Sequence, residues 1–279
     1  TEIYTLSLQR RSSDLFCLRM HLLLYLIIQW FSLILKKDNY LMKNKYVFIL
    51  TIAIVCSLLL SLASEGLKER RNKNVEIDIK KNILRAIGVN IDSFSILDID
   101  KYFTDNIDTL VIDIKGNISN LSINNLNTIE NKQTGEVKYF NDNQEYLPLY
   151  NEIEKNIIII PVSGKGLWSS LFGYFAIDAN NYSTVKGIAF YAHGETPGLG
   201  AEISSEWFQL SFVGKEIYSG KELLSIKLTK PGLADKDNLY EVNGISGATI
   251  TSNGVTTLLK RDLQRYEPYF KNVVRINEK

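Results

Sequence analysis

The sequence predicts an α+β protein in which one N-terminal transmembrane helix precedes a soluble domain with a mainly antiparallel sheet and flanking helices. Three observations predict this class. Residues 46–63 are continuously uncharged and mostly apolar. Strand-like runs follow one another closely between residues 157 and 242, and residues 254–266 have the pattern of an amphipathic helix. We therefore expect residues 65–279 to form one soluble domain behind the membrane helix.

The apolar segment 46–63 is just long enough to cross a membrane, because each helical residue adds about 1.5 Å. A cleaved secretory signal is the alternative, since Met42-Lys43-Asn44-Lys45 would provide its charged start. We favour an uncleaved anchor, because the apolar run is longer than that of a usual signal and residues 61–64 make a weak cleavage site. Basic residues flank both ends of the segment, so the positive-inside rule does not give its orientation.

Residues 1–41 allow two interpretations. Residues 20–35 form a second, shorter apolar run that would make a second spanning helix. Alternatively the true start is Met42, because a short basic segment followed by an anchor is a natural N-terminus. We favour the second interpretation and expect residues 1–41 to be a non-native extension.

Periodicity predicts the remaining elements. Residues 65–87 carry an apolar residue at every fourth position before Gly88, which predicts a helix that leaves the membrane and lies on the soluble domain. Residues 89–150 are rich in Asn and Asp and predict long surface loops with short strands, such as 109–114. Further strands are expected at 157–162, 174–177, 185–191, 221–228 and 239–242, with a turn at 178–183. The last helix presents an apolar face formed by Val255, Leu258, Leu259 and Leu263.

The composition excludes several kinds of function. The chain has 32 basic and 31 acidic residues, and this balance gives no electrostatic reason to expect nucleic acid. Cys17 and Cys56 lie in the N-terminal apolar stretches, which excludes a disulfide framework and a cysteine-ligated metal site from the main domain. His21 and His193 are the only histidines, so a multi-histidine metal site is excluded as well.

The first of three glycine-containing loops is SGKGLWSS, residues 163–170. Gly164 and Gly166 would let the backbone approach a ligand closely, and Trp168 offers a flat apolar face. The alternative is a tight turn with a core tryptophan.

The second loop, HGETPGLG at 193–200, has three glycines and a proline within eight residues, which indicates a tightly specified backbone. Its N–H groups, Glu195 and Thr196 would suit a planar ligand rich in heteroatoms. The alternative makes Glu195 a surface charge and His193 a structural residue.

The third loop is NGISGATITSNGV, residues 243–255. Ser252 or Asn253 is a natural N-cap for a helix that begins near Gly254, and a helix N-terminus favours phosphate. A capped loop without a ligand is the alternative. A serine or threonine hydrolase is disfavoured, because His193 is a weak candidate for the base that such a nucleophile needs.

In this order and behind one anchor, the three loops resemble the single-anchor, covalent-FMN-binding subunit of Na⁺-translocating NADH:quinone oxidoreductases, from about Met42 to the C-terminus. The corresponding flavin subunit of the Rnf electron-transport complex shares the flavin domain and is the alternative family. A membrane-anchored flavin-binding module without electron transfer is a third hypothesis. The resemblance is carried by GKGLWSSLFGYFAID (164–178), KGIAFYAHGETPGLGAEI (186–203) and NGISGATITSNGV (243–255).

The resemblance implies an electron-carrying flavoprotein subunit of a redox-driven translocase that is not active alone. It implies FMN joined by a phosphoester bond to the threonine of the SGAT motif, here Thr249, by a flavin transferase that uses FAD. It also implies that the other subunits of the complex are partners and that the soluble domain lies on the periplasmic side of the inner membrane. Asn243 departs from the aspartate of the acceptor pattern, so flavinylation would be slower if the transferase recognises that carboxylate.

On this interpretation we expect three groups of residues around the flavin, no catalytic residue and no metal ligand. The anchor has no acidic residue, so this subunit is not expected to carry Na⁺ itself. The expected ring wall is Glu195, Thr196, Leu199 and Gly200; the opposite side is Gly166, Leu167 and Trp168; the phosphate neighbours are Ser246 and Thr251; and Gly247 and Ala248 give access to Thr249.

Overall fold

The computed structural model describes residue 29 and residues 45–277. The predictions for residues 1–41 concern a segment that, apart from Gln29, lies outside the described residues. The chain divides into two units between Val75 and Glu76.

Helix α1 spans Lys45–Ala86 and contains the predicted membrane segment. Its part from Phe48 onward includes an 18-residue window with a mean hydropathy of 2.2 and no buried side chain, so its length and composition suit a membrane span. The helix ends close to the predicted stop, and Gly88 adopts a φ of 71°. In the second unit Ile83 is buried whereas Ile79 is exposed, so only the end of the predicted apolar stripe is packed.

The second unit is built on an antiparallel sheet, which confirms the predicted fold class. Among the described residues the sheet has eight strands in the order β2-β1-β5-β6-β7-β8, and the β3–β4 hairpin pairs beside β5. Strand β8 is therefore an edge of the sheet. The strands are β1 (Ile107–Asp113), β2 (Ile118–Ser119), β3 (Asn127–Glu130), β4 (Val137–Asn141), β5 (Gln144–Glu152), β6 (Ile157–Lys165), β7 (Ser170–Asp178) and β8 (Val185–Ala192).

Both faces of this sheet are covered, which explains the unbroken apolar run in β6. Ile158 and Ile160 belong to a core that includes the last helix, whereas Ile157 and Ile159 pack in a second core with the end of α1. Because neighbouring side chains on a strand point to opposite faces, a strand buried on both sides shows no alternation of polar and apolar residues.

Smaller elements surround the sheet. The remaining helices are α2 (Ile96–Asn106), α3 (Glu206–Leu210) and α4 (Thr249–Asn277), and 3₁₀ turns cover Ile123–Asn125 and Gly200–Ser204. Strands β9 (Tyr218–Ser219) and β10 (Glu222–Leu223) pair antiparallel, and β11 (Lys227–Thr229) and β12 (Glu241–Asn243) pair parallel. The predicted apolar face of α4 is confirmed, because Val255, Leu258, Leu259 and Leu263 are all buried.

Some sequence predictions about this unit were wrong. The segment expected as loops and short strands contains helix α2, whose start is fixed by a capping box in which Ser95 and Asp98 exchange hydrogen bonds. The strand expected at 221–228 is split into β10 and β11, because Ser225 adopts a φ of 66°, which an extended strand does not allow.

Candidate functional site

Helix α4 begins at Thr249, so the prediction of an N-cap at Ser252 or Asn253 and a start near Gly254 was wrong. Ser252 is buried in the first turn, where its hydroxyl donates to the Ala248 carbonyl at 3.0 Å and accepts from the Ile245 N–H at 3.1 Å. The earlier start brings Thr249 itself to the N-terminus of a 29-residue helix. The positive end of the helix dipole therefore lies at this threonine.

In the third loop, residues 243–255, some hydroxyl groups form hydrogen bonds within the protein and others do not. Thr251 is buried and donates to Glu195 at 2.6 Å, and Ser252 makes the two bonds given above. Thr249 and Ser246 are exposed, and in the part of the chain that the structure describes their hydroxyls have no hydrogen-bond partner. Only these two hydroxyls of the loop can be reached by a reagent without breaking an internal contact.

Glu195 joins the three predicted loops. Its Oε1 accepts hydrogen bonds from the N–H groups of Trp168 at 2.9 Å and Ser169 at 3.1 Å. Its Oε2 accepts from the Leu167 N–H at 3.1 Å and from the Thr251 hydroxyl at 2.6 Å. Glu195 as a whole residue is 5% exposed. We call these five residues the Glu195 cluster, which ties the tight turn at 166–169 and the second loop to the first turn of α4.

The Glu195 cluster stabilises the ionised carboxylate. Burial by itself raises the pKa of Glu195, but the hydrogen bonds from Thr251 and from the backbone N–H groups of Trp168, Ser169 and Leu167 outweigh burial and hold the pKa below its ordinary value. Glu195 is thus a buried anion with several donors, and not the solvated surface charge of the alternative interpretation.

This lowered pKa predicts a pH-dependent contribution to stability. An acid whose folded-state pKa is depressed stabilises the protein fully above its unfolded-state pKa, about 4.3, and the contribution is lost as the pH falls through the folded-state value. We therefore expect the difference in unfolding free energy between the wild type and Glu195→Gln to be constant at neutral pH and to shrink in acid. Urea unfolding of the two full chains at a series of pH values measures it, and a pH-independent difference would contradict the assignment.

Two glycines let the loops approach the Glu195 carboxylate. A Cβ at Gly166 would come within 2.6 Å of Oε1, and one at Gly200 would come within 2.7 Å of both Oε2 and the Thr251 hydroxyl. Gly247 in the third loop has a φ of 73° and faces the Leu199 side chain. These contacts explain why the glycines of the three loops are needed at these positions.

Exposed apolar side chains lie on the first and second loops, which the Glu195 cluster holds against the first turn of α4. Trp168 is 69% exposed and is not the core tryptophan of the alternative interpretation, although the tight turn exists, since Gly166 N–H donates to the Ser169 carbonyl at 2.9 Å. Leu167 and Leu199 are also exposed, at 44% and 42%. The Thr196 side chain is exposed, while its carbonyl accepts from the Leu199 and Ala201 N–H groups. Exposed aromatic and aliphatic groups on ordered loops are typical of a surface that binds a flat ligand.

A cavity of about 340 Å³ lies beside Thr249, and the residues opposite the threonine were not among those predicted. Lys227 and Lys230 line it together with Thr249 and Asn253. The parallel pairing of β11 with β12 brings the two lysines there, and such a long-range pairing leaves no local pattern in the sequence. Two cations and a helix N-terminus make this cavity suitable for an anion such as phosphate.

The structure thus brings the three loops that carry the predicted residues together, through the hydrogen bonds of the Glu195 cluster. Glu195 and Gly200 lie at the contacts between loops, and Ala248 and Thr251 are buried beneath Thr249. The His193 ring contacts the Ser204 hydroxyl at 3.3 Å, and its Nδ1 accepts from the Glu195 N–H at 3.4 Å. The groups available to a ligand are the exposed ones: Leu167, Trp168, Thr196, Leu199, Ser246, Gly247 and Thr249.

Comparison with known proteins agrees with this geometry. A family model described as an FMN-binding domain matches residues 166–264, which include the second and third loops and residues 166–170 of the first. The NqrC subunit of the Na(+)-translocating NADH-quinone reductase from Vibrio anguillarum is 31% identical over 234 residues, which cover 78% of this chain and 89% of the relative. The equivalent protein from Vibrio alginolyticus is 27% identical with the same coverage.

Solved structures show the same fold. The crystal structure of the NqrC subunit of the Na(+)-translocating NADH-quinone reductase from Parabacteroides distasonis matches with a TM-score of 0.62 and 29% identity, covering 73% of this chain and 96% of that one. NqrC of Shewanella oneidensis matches with a TM-score of 0.58 and 22% identity over 71% of this chain and 97% of its own. At that identity the second match supports the fold alone.

Proposed function

This chain belongs to the NqrC family of Na⁺-translocating NADH-quinone reductase subunits, and from that premise we propose that it carries FMN covalently on Thr249 as an electron-carrying subunit. The match to an FMN-binding domain and the names of the relatives support FMN as the cofactor and a role as one subunit of the reductase. The covalent bond, its position and the neighbouring residues are our proposal.

One observation supports Thr249 as the residue to which FMN is attached. Its hydroxyl is exposed, lacks a partner among the described residues, stands at the N-terminus of α4 and lines the cavity with Lys227 and Lys230. Ser246 has a free hydroxyl as well, but it does not line that cavity. The residues fit a phosphoester, because the helix dipole and the two lysines favour the negative charge that it retains.

The attachment requires no activating base from this chain. We propose that a flavin transferase activates the Thr249 hydroxyl, whose oxygen forms a bond to the flavin-side phosphorus of FAD while the bond to AMP breaks. The hydroxyl proton is released and AMP leaves. Activation by the transferase fits this site, because no side chain that could act as a base is hydrogen-bonded to Thr249 within the described residues.

The remaining residues position the cofactor. The bound flavin supplies one- and two-electron chemistry that side chains lack. Leu167, Trp168 and Leu199 offer apolar surface for the ring, and Lys227 and Lys230 balance the phosphate charge. Glu195 and Thr251, which we expected to contact the flavin directly, act in this proposal by holding the loops in place.

We also propose a division of the chain and an orientation. Residues 46–63 form the membrane helix, residues 65–279 form the FMN-binding domain, and the domain lies on the periplasmic side of the bacterial inner membrane. A cysteine placed at exposed Glu222 in a background that carries Cys17→Ser and Cys56→Ser is expected to react with a membrane-impermeant maleimide in intact spheroplasts. Labelling only after lysis would contradict this orientation.

Mass spectrometry tests the central proposal. The protein is produced together with its transferase, digested, and analysed for an FMN phosphoester on the peptide that contains Thr249. An unmodified peptide, under conditions that flavinylate a known acceptor, would overturn it. Reversibly bound FMN would then favour the alternative of a binding module without electron transfer. The two Vibrio relatives described above are reductase subunits, which favours the reductase over the Rnf complex.

Asn243, where the acceptor pattern has aspartate, has a structural role that predicts normal flavinylation. Its Oδ1 accepts from the Gly232 N–H at 2.8 Å and the Ala234 N–H at 3.0 Å, and so holds the loop that follows Lys230. A carboxylate oxygen would accept the same bonds. We expect Asn243→Asp to leave the flavinylation rate unchanged and Asn243→Leu to lower it about fivefold, the equivalent of ~1 kcal/mol. A large rate increase in Asn243→Asp would show instead that the transferase recognises the charge.

A further inference from the structure

A group of basic side chains follows directly after the membrane segment on the same helix. Helix α1 continues without interruption from the apolar residues 46–63 to its end at Ala86. Residues 64–75 contain four basic and two acidic side chains, which gives this stretch a net charge of +2. All four basic residues are exposed, and we call them the basic collar: Lys68, Arg70, Arg71 and Lys73.

Three cations of the basic collar are free to bind an anion. Lys68 pairs with Glu65 at 3.3 Å, one turn earlier on the helix. Arg70, Arg71 and Lys73 form no ion pair and no side-chain hydrogen bond with the other described residues. Unpaired cations next to an apolar membrane segment attract the phosphates of anionic lipids.

The basic collar lies within reach of the lipid headgroups. Arg70 is seven residues beyond Ala63, which is about 10 Å along the helix. The headgroup layer on each side of the hydrocarbon core is about 5–8 Å thick. In a helix each Cα–Cβ bond tilts toward the N-terminus, which in α1 is the direction of the membrane segment. The long basic side chains therefore extend back toward the phosphates while their charged ends stay in water.

The basic collar surrounds the helix and does not form a single face. Consecutive helical residues are about 100° apart, so the four side chains leave no gap wider than about 140° around the axis. A protein partner or a second copy of the chain would contact one side of the helix. Lipid headgroups surround a spanning helix on all the sides that protein does not cover, so the distribution of charge favours lipid over protein.

We propose that the basic collar binds the headgroups of anionic phospholipids and thereby fixes the depth of helix α1 in the membrane. The inference rests on the proposed membrane helix and does not depend on the flavin. It applies to either orientation of the helix, because both faces of a bilayer present phosphate groups.

Lipid retention in native mass spectrometry tests the proposal. The full chain is placed in nanodiscs of equal parts phosphatidylglycerol and phosphatidylcholine, and the lipids that stay bound after release are counted. A variant without the three free cations of the collar is compared with a control that loses the same charge from exposed lysines outside α1. The collar variant carries Arg70→Gln, Arg71→Gln and Lys73→Gln, and the control carries Lys115→Gln, Lys132→Gln and Lys236→Gln.

We expect the wild-type chain to retain phosphatidylglycerol over phosphatidylcholine about fivefold or more. The collar variant should retain the two lipids about equally, and the control should keep the wild-type ratio. A wild-type ratio near one, or an equal loss of preference in the control, would overturn the proposal.

Flotation with vesicles separates failure of this inference from failure of the membrane helix. With vesicles of phosphatidylcholine alone, the wild type and the collar variant are both expected to float, because the apolar segment 46–63 is sufficient for insertion. If the wild-type chain floats but has no preference for phosphatidylglycerol, only the inference about the collar fails. If it does not float, the membrane helix of the proposed function fails as well.

A photoreactive residue in place of Asn72, which is exposed among the collar residues, identifies what contacts the collar in the assembled complex. We expect the modified peptide to carry the mass of a phospholipid. A cross-link to another subunit or to a second copy of this chain would contradict the assignment to lipid.

Discussion

Thr249→Ala is expected to abolish covalent FMN completely, because the phosphoester needs the hydroxyl that, among the described residues, both is free and lines the cavity beside α4. The loss is measured as in-gel flavin fluorescence after denaturation and as the disappearance of the modified peptide. Removing an exposed threonine methyl and hydroxyl at a helix start is expected to change stability by less than ~1 kcal/mol, so loss of flavin would not reflect unfolding.

Two control variants test whether loss of covalent FMN is specific to Thr249, or follows from removing any hydroxyl of this loop or helix. Ser246→Ala removes the other free hydroxyl of the loop, and Thr257→Ala removes an exposed threonine two turns along the same helix. Both variants are expected to keep the adduct. Covalent flavin that persists in Thr249→Ala but disappears in Ser246→Ala would transfer the attachment to Ser246.

Thr249→Ala should also affect the activity of the complex, because the proposed role of the flavin is to carry electrons. A complex assembled with Thr249→Ala is expected to lose NADH-dependent quinone reduction while keeping all of its subunits, because one relay between donor and acceptor is missing. Normal quinone reduction with FMN bound reversibly would support the binding module without electron transfer. Assembly and activity are therefore both measured, so that a missing subunit is not mistaken for a missing flavin.

The fold was largely predictable because most of its strands are continuous apolar runs with local turn residues. Strands β6, β7 and β8 are each within a few residues of the prediction, since their burial on both faces leaves a strong pattern. Helix α2 was missed although Ser95 and Asp98 form a capping box, because its surroundings are dominated by Asn and Asp. Strand β5 was missed for the same reason.

The site was predictable as three loops but not as a set of contacts. Glycine and hydroxyl density identified the loops, yet their order along the chain does not show that Glu195 and Thr251, 56 residues apart, share a hydrogen bond. Lys227 and Lys230 were not among the predicted residues. Only the parallel pairing of β11 and β12 places these two lysines beside Thr249.

Glu195→Ala is expected to lower the free energy of unfolding by about 3–5 kcal/mol, because it leaves three backbone N–H groups and the Thr251 hydroxyl of the Glu195 cluster without their acceptor. For a domain of this size the melting temperature should fall by on the order of 10 °C. Glu222→Ala, which removes an exposed carboxylate, is expected to change it little. Thermal unfolding of the full chains in detergent, followed by circular dichroism, gives these values.

A double-mutant cycle tests whether the effect arises in the cluster. Glu195→Ala, Thr251→Val and the double variant should show a coupling of about 1 kcal/mol or more, because both single changes remove the same 2.6 Å hydrogen bond. The cycle is measured in a Thr249→Ala background, where no flavin can be attached. If Glu195→Ala destabilises that flavin-free protein, Glu195 holds the three loops in place by itself. If destabilisation appears only when the flavin is attached, Glu195 acts through the cofactor and is part of the ring wall.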